Sequence, residues 1–335
     1  MRKQIVALAC VMALTLSCGL FMSKAQAGTK KHSLKIVHTT LPAPSASRSA
    51  IEELAARVNK ETDGRITFKV YGIELGDYLE INEMVLRGEV DMLLDPIATT
   101  FDPRWAAMQF PYLVTDYSQA AEIFGPDGFM TALFKTWAEE KGMHWLGTWM
   151  QGFTGVSLNH AATTPEEAKG IKIRSTPVGL VQYTYRDLGF EVSVLPYSEV
   201  PTAISTGVVE GQAGGGPAQS WNLVRDINKF YIHYRSDLEM WGLVINKDKW
   251  DQIEADDQKI IQDAANDIMA KRVLSAEAEE KEYMKKLSDH GLTVIDLIDF
   301  PEKLARATEL GRKTWPEMEK IIGKEAMDTV RANIK

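Results

Sequence analysis

Residues 170–179 read GIKIRSTPVG. Ile171 and Ile173 alternate with Lys172 and Arg174, the period of a half-buried strand. Pro177 cannot donate to a sheet ladder, so the strand stops just beyond Arg174. A guanidinium at the C-terminal end of a strand has two readings. It is a solvated charge, or it is an anion receptor. The second reading has a clear chemistry, because the planar fork of Arg makes two parallel, charge-assisted hydrogen bonds to a carboxylate.

Other residue types that carry chemistry form no recognisable catalytic set. The six histidines (32, 38, 144, 160, 233 and 290) are scattered, with no pair at i, i+4 and no HExxH, so neither a histidine metal site nor a cofactor is expected. His38 ends the first strand, where a ligand could touch it, although a loop histidine facing solvent is the commoner case. There is no GxSxG elbow and no GxxxxGK[ST] phosphate loop. Gly214, Gly215 and Gly216, followed by Pro217, form either a turn or a backbone that lets a ligand come close. Glu277–Glu282 reads as a solvated helix face, and no glycosidase-type carboxylate pair can be chosen from sequence. Trp145, Trp149, Phe153, Tyr197, Trp221 and Trp241 fall at or near strand ends and turns. Singly, each suits a core; together they suit a pocket that encloses a flat apolar group.

The elements that would position these residues alternate. Strands are expected at 34–37, 66–71 and 90–94, with helices over 48–62 and 78–88 between them. The second half repeats the rhythm: a strand at 144–149, a helix opening at Thr164-Pro165, the Arg174 strand, a helix over 178–188, a strand at 191–195, a helix from Ser198 to Gly207 and a strand at 208–213. This pattern is α/β, with mostly parallel sheets in two domains of one architecture, and it puts ligands beyond the strands' C-terminal ends. Residues 252–289 carry the longest helical pattern, on the order of 55 Å if unbroken. Its alanine-rich seam lacks sustained heptads, which favours a strut across both domains over a coiled-coil arm.

The first 27 of the 335 residues look like an export leader. Arg2 and Lys3 precede an apolar run, and AQA at 25–27 is a small-x-small cleavage signal. A membrane anchor or a lipoprotein at Cys18 are the alternatives; the cleavage motif and the lack of a basic stop-transfer cluster favour removal. Cys10 and Cys18 both lie in the leader, so the chain after it has no cysteine for disulfides, zinc or nucleophilic catalysis. The leader holds Arg2, Lys3, Lys24 and no acid, so the formal charge of −8 becomes −11 without it. Such an acidic chain with no Lys/Arg block is a poor nucleic-acid binder. No later run approaches the ~18 apolar residues of a membrane span.

The stretch AKGIKIRSTPVGLVQYTYRDLGFEVSVLPYSEVPTAISTGVVEGQ (168–212) resembles the substrate-binding proteins of tripartite ATP-independent periplasmic (TRAP) transporters, the DctP type. LGDYLEINEMVLRGEVDM and FPYLV fit the same family in order, and weaker similarity covers the chain beyond the leader. The resemblance implies a periplasmic receptor, not an enzyme: two α/β lobes, a hinge, and a long helix spanning both. Lobe I is expected over 28–151 with about 240–279 returning to it, and lobe II over 152–239 with about 280–335. It also implies that an organic acid is captured between the lobes and passed to membrane permease subunits. Arg174 stands where the family binds a carboxylate, and Tyr197 at an aromatic pocket position.

Two departures bear on the ligand. Thr154 stands where sialic-acid-type members carry a second arginine, and Gly214 where members commonly carry a ligand-binding Asn. With Gly215 beside it, this leaves room. One Arg among Trp149, Phe153, Trp221, Trp241 and His38 suits an aromatic monocarboxylate: an aryl-acetate, an aromatic keto acid or an aromatic amino acid. The alternatives are a C4-dicarboxylate or other hydroxy- or keto-acid receptor of the same transporter class, a periplasmic hydrolase, or a partner that presents ligand to a membrane sensor.

Overall fold

The computed structural model describes residues 30–39, 45–176 and 179–334; the leader and both cysteines lie outside them. Eleven strands are described: β1 (His32–Val37), β2 (Ile66–Tyr71), β3 (Met92–Asp95), β4 (Met143–Phe153), β5 (Gly155–Leu158), β6 (Lys172–Ser175), β7 (Glu191–Val194), β8 (Gly211–Gly215), β9 (Phe230–His233), β10 (Leu238–Asn246) and β11 (Thr293–Asp296). They form two sheets, in the orders β2-β1-β3-β10-β4 and β11-β9-β5-β8-β6-β7. β1 pairs parallel with β2 and β3, while β10 runs antiparallel between β3 and β4. In the second sheet β6 pairs parallel with β7 and β8, and β5 runs antiparallel to β8 and β9. Both sheets are therefore mixed, within the α/β class the alternation implied.

Local sequence explains most of these elements. The helix Ala46–Glu61 buries Ile51, Leu54 and Val58, the face its period marks, and opens on Ser45, whose side chain accepts from the Arg48 amide. Gly88 and Gly207 take φ of +72° and +76°, the left-handed turn that closes a helix. After each, the strand starts later than the apolar run suggested. Val90 and Val209 turn their N–H groups back to Met84 and Ala203, so β3 begins at Met92 and β8 at Gly211.

The backbone passes between the sheets three times, once through a long helix and twice at neighbouring points. β4 leaves the first sheet and β5 enters the second at Thr154; β9 returns through Tyr234–Asp237 to β10. The two crossings are tied together. Thr154 donates its N–H to the Asp237 carbonyl at 3.0 Å, and its hydroxyl lies 2.8 Å from both Ser236 Oγ and Asp237 Oδ1.

One helix, Ala255–Asp289, spans the whole. At ~1.5 Å per residue it is about 52 Å long. Ile261, Ala264, Ala265, Ile268 and Met269 bury against the first sheet's layer, and Leu287 packs with Tyr231 and Leu292 of the second. Between them its polar side chains grip the crossings. Arg272 donates to the carbonyls of Met150 at 2.6 Å and Gln151 at 2.9 Å. Glu280 accepts from the Phe153 amide at 2.9 Å and the Tyr117 hydroxyl at 2.8 Å.

The end of the chain departs from the expected division. Residues 280–335 do not all stay with the second sheet. Met318, Ile322, Met327 and Val330, on the helices Trp315–Ile322 and Lys324–Asn333, join one core with Phe110, Phe134 and Trp137. Their apolar stripes find a matching uncovered face on the helix Phe129–Glu140, which local sequence cannot reveal.

Gly211, in the GVVEGQ motif, is required by β5. A Cβ there would lie 1.9 Å from the Ser157 carbonyl oxygen. Gly211→Ala is expected to cost about 1–3 kcal/mol through forced displacement of the ladder. Thermal unfolding would register this as a Tm lowered by several degrees, and an unchanged Tm would refute it.

Candidate functional site

A cavity of about 480 Å3 lies between the two sheets, walled by residues at or beyond the C-terminal ends of β1, β3, β6, β7 and β8 and by the start of β10. This is the size range of small-molecule sites, at the position α/β topology favours.

Arg174 sits in its wall, only 4 % exposed. The alternation that buries Ile173 in the second core delivers the guanidinium to the cavity side of β6. Its Nε donates to the Leu195 carbonyl at 2.9 Å, which fixes the plane of the fork. No carboxylate among the described residues forms an ion pair with it. Burial is the dominant effect on the cation and brings its pKa down to about 10, against weaker opposing effects of Tyr197, Tyr78 and Glu239. Tyr197 lies alongside, its ring centre 5.8 Å from the guanidinium carbon.

Gln212 is the lateral neighbour of Arg174, paired with it across the parallel β6–β8 ladder. It is 2 % exposed and lines the cavity, yet among the described residues neither its amide oxygen nor its amide nitrogen has a hydrogen-bond partner. Buried amides are normally satisfied, so this pair of orphan atoms marks a place for a ligand or water.

Glu239 enters from the first sheet, near the start of β10. Trp241 Nε1 donates to its Oε1 at 3.0 Å, and Gln219 Nε2 to its Oε2 at 2.9 Å. Gln219 is itself held, accepting from the Gly216 amide at 2.6 Å. Burial pushes the Glu239 carboxyl up to about 7, against the opposing effect of those donors.

The remaining wall is mainly apolar. Met108, Ile97 and Met240 lie inside, Tyr78 is half-buried, and Ile73, Leu79 and Val194 are exposed apolar side chains that also line the cavity. Asp77 is part of the wall but caps the helix Tyr78–Leu86, accepting from the amides of Leu79 and Glu80.

Of the residues chosen from sequence, Arg174, Tyr197, Gly214 and Gly215 line this cavity. Gly214 has φ of +80°, and a Cβ would come 2.9 Å from Val181 Cγ1, so a side chain there is disfavoured on both counts. The other six lie outside the wall. Thr154 is wholly buried at the strand crossing, its hydroxyl taken by Ser236 and Asp237. Trp149 is buried beneath Arg272, whose guanidinium carbon is 4.6 Å from its ring centre. Phe153 packs edge-on against Tyr117 at 5.1 Å. Trp221 faces His290 on the long helix's C-terminal side. Trp241 stands behind the wall and reaches it through Glu239. His38 is buried rather than solvent-facing: its Nδ1–H donates to the Leu94 carbonyl, and Nε2 accepts from Ser47. Tryptophans at strand ends cap the sheet cores here, which spacing alone cannot distinguish from a pocket wall.

Sequence reading singled out none of Tyr78, Gln212, Gln219 and Glu239. Gln212 and Tyr78 fall inside motifs already in view. Glu239 had a signal too: it is the one charge within LEMWGLVIN, a strand buried at every position. Among the described residues no group of three or more His, Cys, Asp or Glu side chains is placed to hold a metal ion, and no helix is long and apolar enough to cross a membrane.

Comparison with known proteins gives the family and the fold. The profile of the family described as "Bacterial extracellular solute-binding protein, family 7" (DctP) matches residues 36–321. The C4-dicarboxylate-binding periplasmic protein DctP of Rhodobacter capsulatus is 26% identical over 306 residues, covering 89% of this chain and 90% of that protein. The ectoine-binding periplasmic protein TeaA of Halomonas elongata is also 26% identical, over 80% of this chain and 81% of its own. Among solved structures, a TRAP periplasmic solute binding protein from Desulfovibrio salexigens with bound orotic acid superposes with a TM-score of 0.80 at 19% identity. It covers 90% of this chain and 98% of that chain.

The raised pKa of Glu239 links this site to stability. A carboxyl that holds its proton more tightly when folded favours the native state below its unfolded pKa, and loses that contribution as pH rises through the folded value. From the ordinary 4.5 up to about 7 the shift corresponds to roughly 3 kcal/mol. Urea unfolding without solute should show wild type losing stability over this window relative to Glu239→Gln. Parallel curves for the two proteins would disprove the assignment.

Proposed function

The chain belongs to the bacterial extracellular solute-binding proteins of family 7, the solute receptors of TRAP transporters, and on that premise we propose that it captures an organic monocarboxylate with an apolar body in the periplasm. Arg174 carries this reading: a guanidinium buried in a cavity wall and ion-paired to no carboxylate among the described residues. Removing a charge from water is costly unless it is paired, so the open cavity favours an incoming anion at this point. The two ends of the fork not held by Leu195 suit one carboxylate.

The solute classes named for relatives differ, so the wall must select. Beyond Arg174 the wall holds no second basic side chain among the described residues, and Glu239 is of the wrong sign for a second carboxylate. That combination argues against a C4-dicarboxylate. The apolar wall and the rings of Tyr78 and Tyr197 favour an aromatic or bulky aliphatic body. The tryptophans once expected to supply this preference stand outside the wall, so it rests on the methionines, aliphatics and tyrosines instead. Ile73, Leu79 and Val194, exposed in the open cleft, would bury against solute as the lobes close.

In this reading the protein is exported with its leader removed before Gly28, needs no cofactor or metal, and hands its solute to membrane permease subunits. It binds without turnover. Mass spectrometry of protein loaded with a candidate acid should return that acid unchanged; a hydrolysed product would favour the periplasmic hydrolase instead.

A thermal-shift screen tests the ligand class directly, since stabilisation follows RT ln(1 + [L]/Kd). Aromatic and branched aliphatic monocarboxylates should raise Tm, and succinate and malate should not. Arg174→Lys, which keeps the charge but loses the fork, should weaken binding about tenfold or more. Stabilisation by succinate alone, or unchanged affinity in Arg174→Lys, would overturn the proposal.

A further inference from the structure

The cavity holds a second pole that a simple carboxylate leaves unused. Arg174 projects from the second sheet and Glu239 from the first, and both line the same space without forming an ion pair with each other. Each is held by its own neutral neighbours. Glu239 accepts one N–H from Trp241 and one from Gln219, which orient the carboxylate and leave roughly half of its acceptor positions unfilled. Among the described residues, Arg174 donates only its Nε–H, to the Leu195 carbonyl. In the same wall, beside Arg174 on the β6–β8 ladder, Gln212 presents a buried amide whose donor and acceptor ends are both unpartnered among the described residues.

A solute that brought only a carboxylate would satisfy Arg174 and the amide N–H of Gln212. It would leave the Gln212 oxygen without a donor and the remaining acceptor positions of Glu239 unfilled, and add a like charge near Glu239. A solute that also carries a protonated nitrogen satisfies all four groups. Asp77, the other carboxylate in the wall, is a poorer candidate for that nitrogen, because it is exposed and already accepts two helix amides.

Resting on the carboxylate-receptor reading above, we infer that Glu239 receives a protonated nitrogen of the solute, so that the site takes a zwitterion, an amino acid or amino-acid-like molecule with an apolar body. The carboxylate lies on Arg174, the nitrogen on Glu239, and Gln212 donates to the first and accepts from the second. The two poles come from different sheets, so a zwitterion draws both lobes onto itself. A plain acid engages only one.

Calorimetric titration with matched pairs tests this: L-phenylalanine against 3-phenylpropanoate, L-leucine against 4-methylpentanoate, and L-proline against cyclopentanecarboxylate. In wild type at least one amino acid should bind about tenfold or more tightly than its partner lacking nitrogen. Glu239→Gln should abolish that preference, Glu239→Asp should retain part of it, and Arg174→Lys should weaken both members of the pair. Circular dichroism of each variant without solute checks that it folds. Binding of the nitrogen-free acids as tightly as the amino acids, or a preference that survives Glu239→Gln, overturns the inference while sensitivity to Arg174→Lys leaves the carboxylate reading standing. If no carboxylate of either kind binds, both fall.

Discussion

The site is organised around a cation that the fold buries and does not neutralise. An arginine held 4 % exposed would ordinarily sit against an aspartate or glutamate. Here its local partner is a backbone carbonyl, and the nearest architectural feature is an open cavity. Such an arrangement is sustained only by the rest of the structure. Ile173 anchors β6 in the second core, the Leu195 carbonyl fixes the fork, and Gly214 keeps the neighbouring strand free of a side chain. Stability forgone at Arg174 becomes available to an anion when it arrives.

That arrangement needs two lobes that keep their shapes while presenting one space. Two of the three segments that join the sheets, at Thr154 and at Tyr234–Asp237, share a buried hydrogen-bond set of Thr154, Ser236, Asp237 and Tyr185. The long helix holds both sides: its apolar seam belongs to the first layer, and its far end to the second. Glu280 lies where the two meet, beside Arg235 and His233 as well as the Phe153 amide. A charged cluster at a crossing resists sliding without filling the cleft. Glu239, just beyond the crossing on β10, belongs to the first sheet, opposite Arg174 on the second.

The fold was largely legible before the coordinates. Two-residue alternation marked the edge-facing strands, three-and-four spacing marked the helices, and glycines at 88 and 207 marked where helices stop. Errors cluster where a segment's fate depends on a distant partner. The strand ends near 90 and 208 moved because the preceding helix claims their first amides. The last two helices joined the first core because an apolar face awaited them there. Aromatic residues were the weakest guide. Trp149 and Phe153 occupy strand positions equally suited to core or cavity, and only the packing of the long helix and of Tyr117 decides between them.

Sequence by itself determined the α/β class and the strand-end position of Arg174. These follow from short-range rules: periodicity, proline and glycine stereochemistry, and spacing along one strand. Tertiary structure alone decided what surrounds the guanidinium. Glu239 lies 65 residues further along the chain, in a strand of the other sheet, and no local pattern relates the two. Whether a buried charge is paired, orphaned or matched across a cavity depends on distances through space, which are set only when both sheets and the helix that spans them have formed.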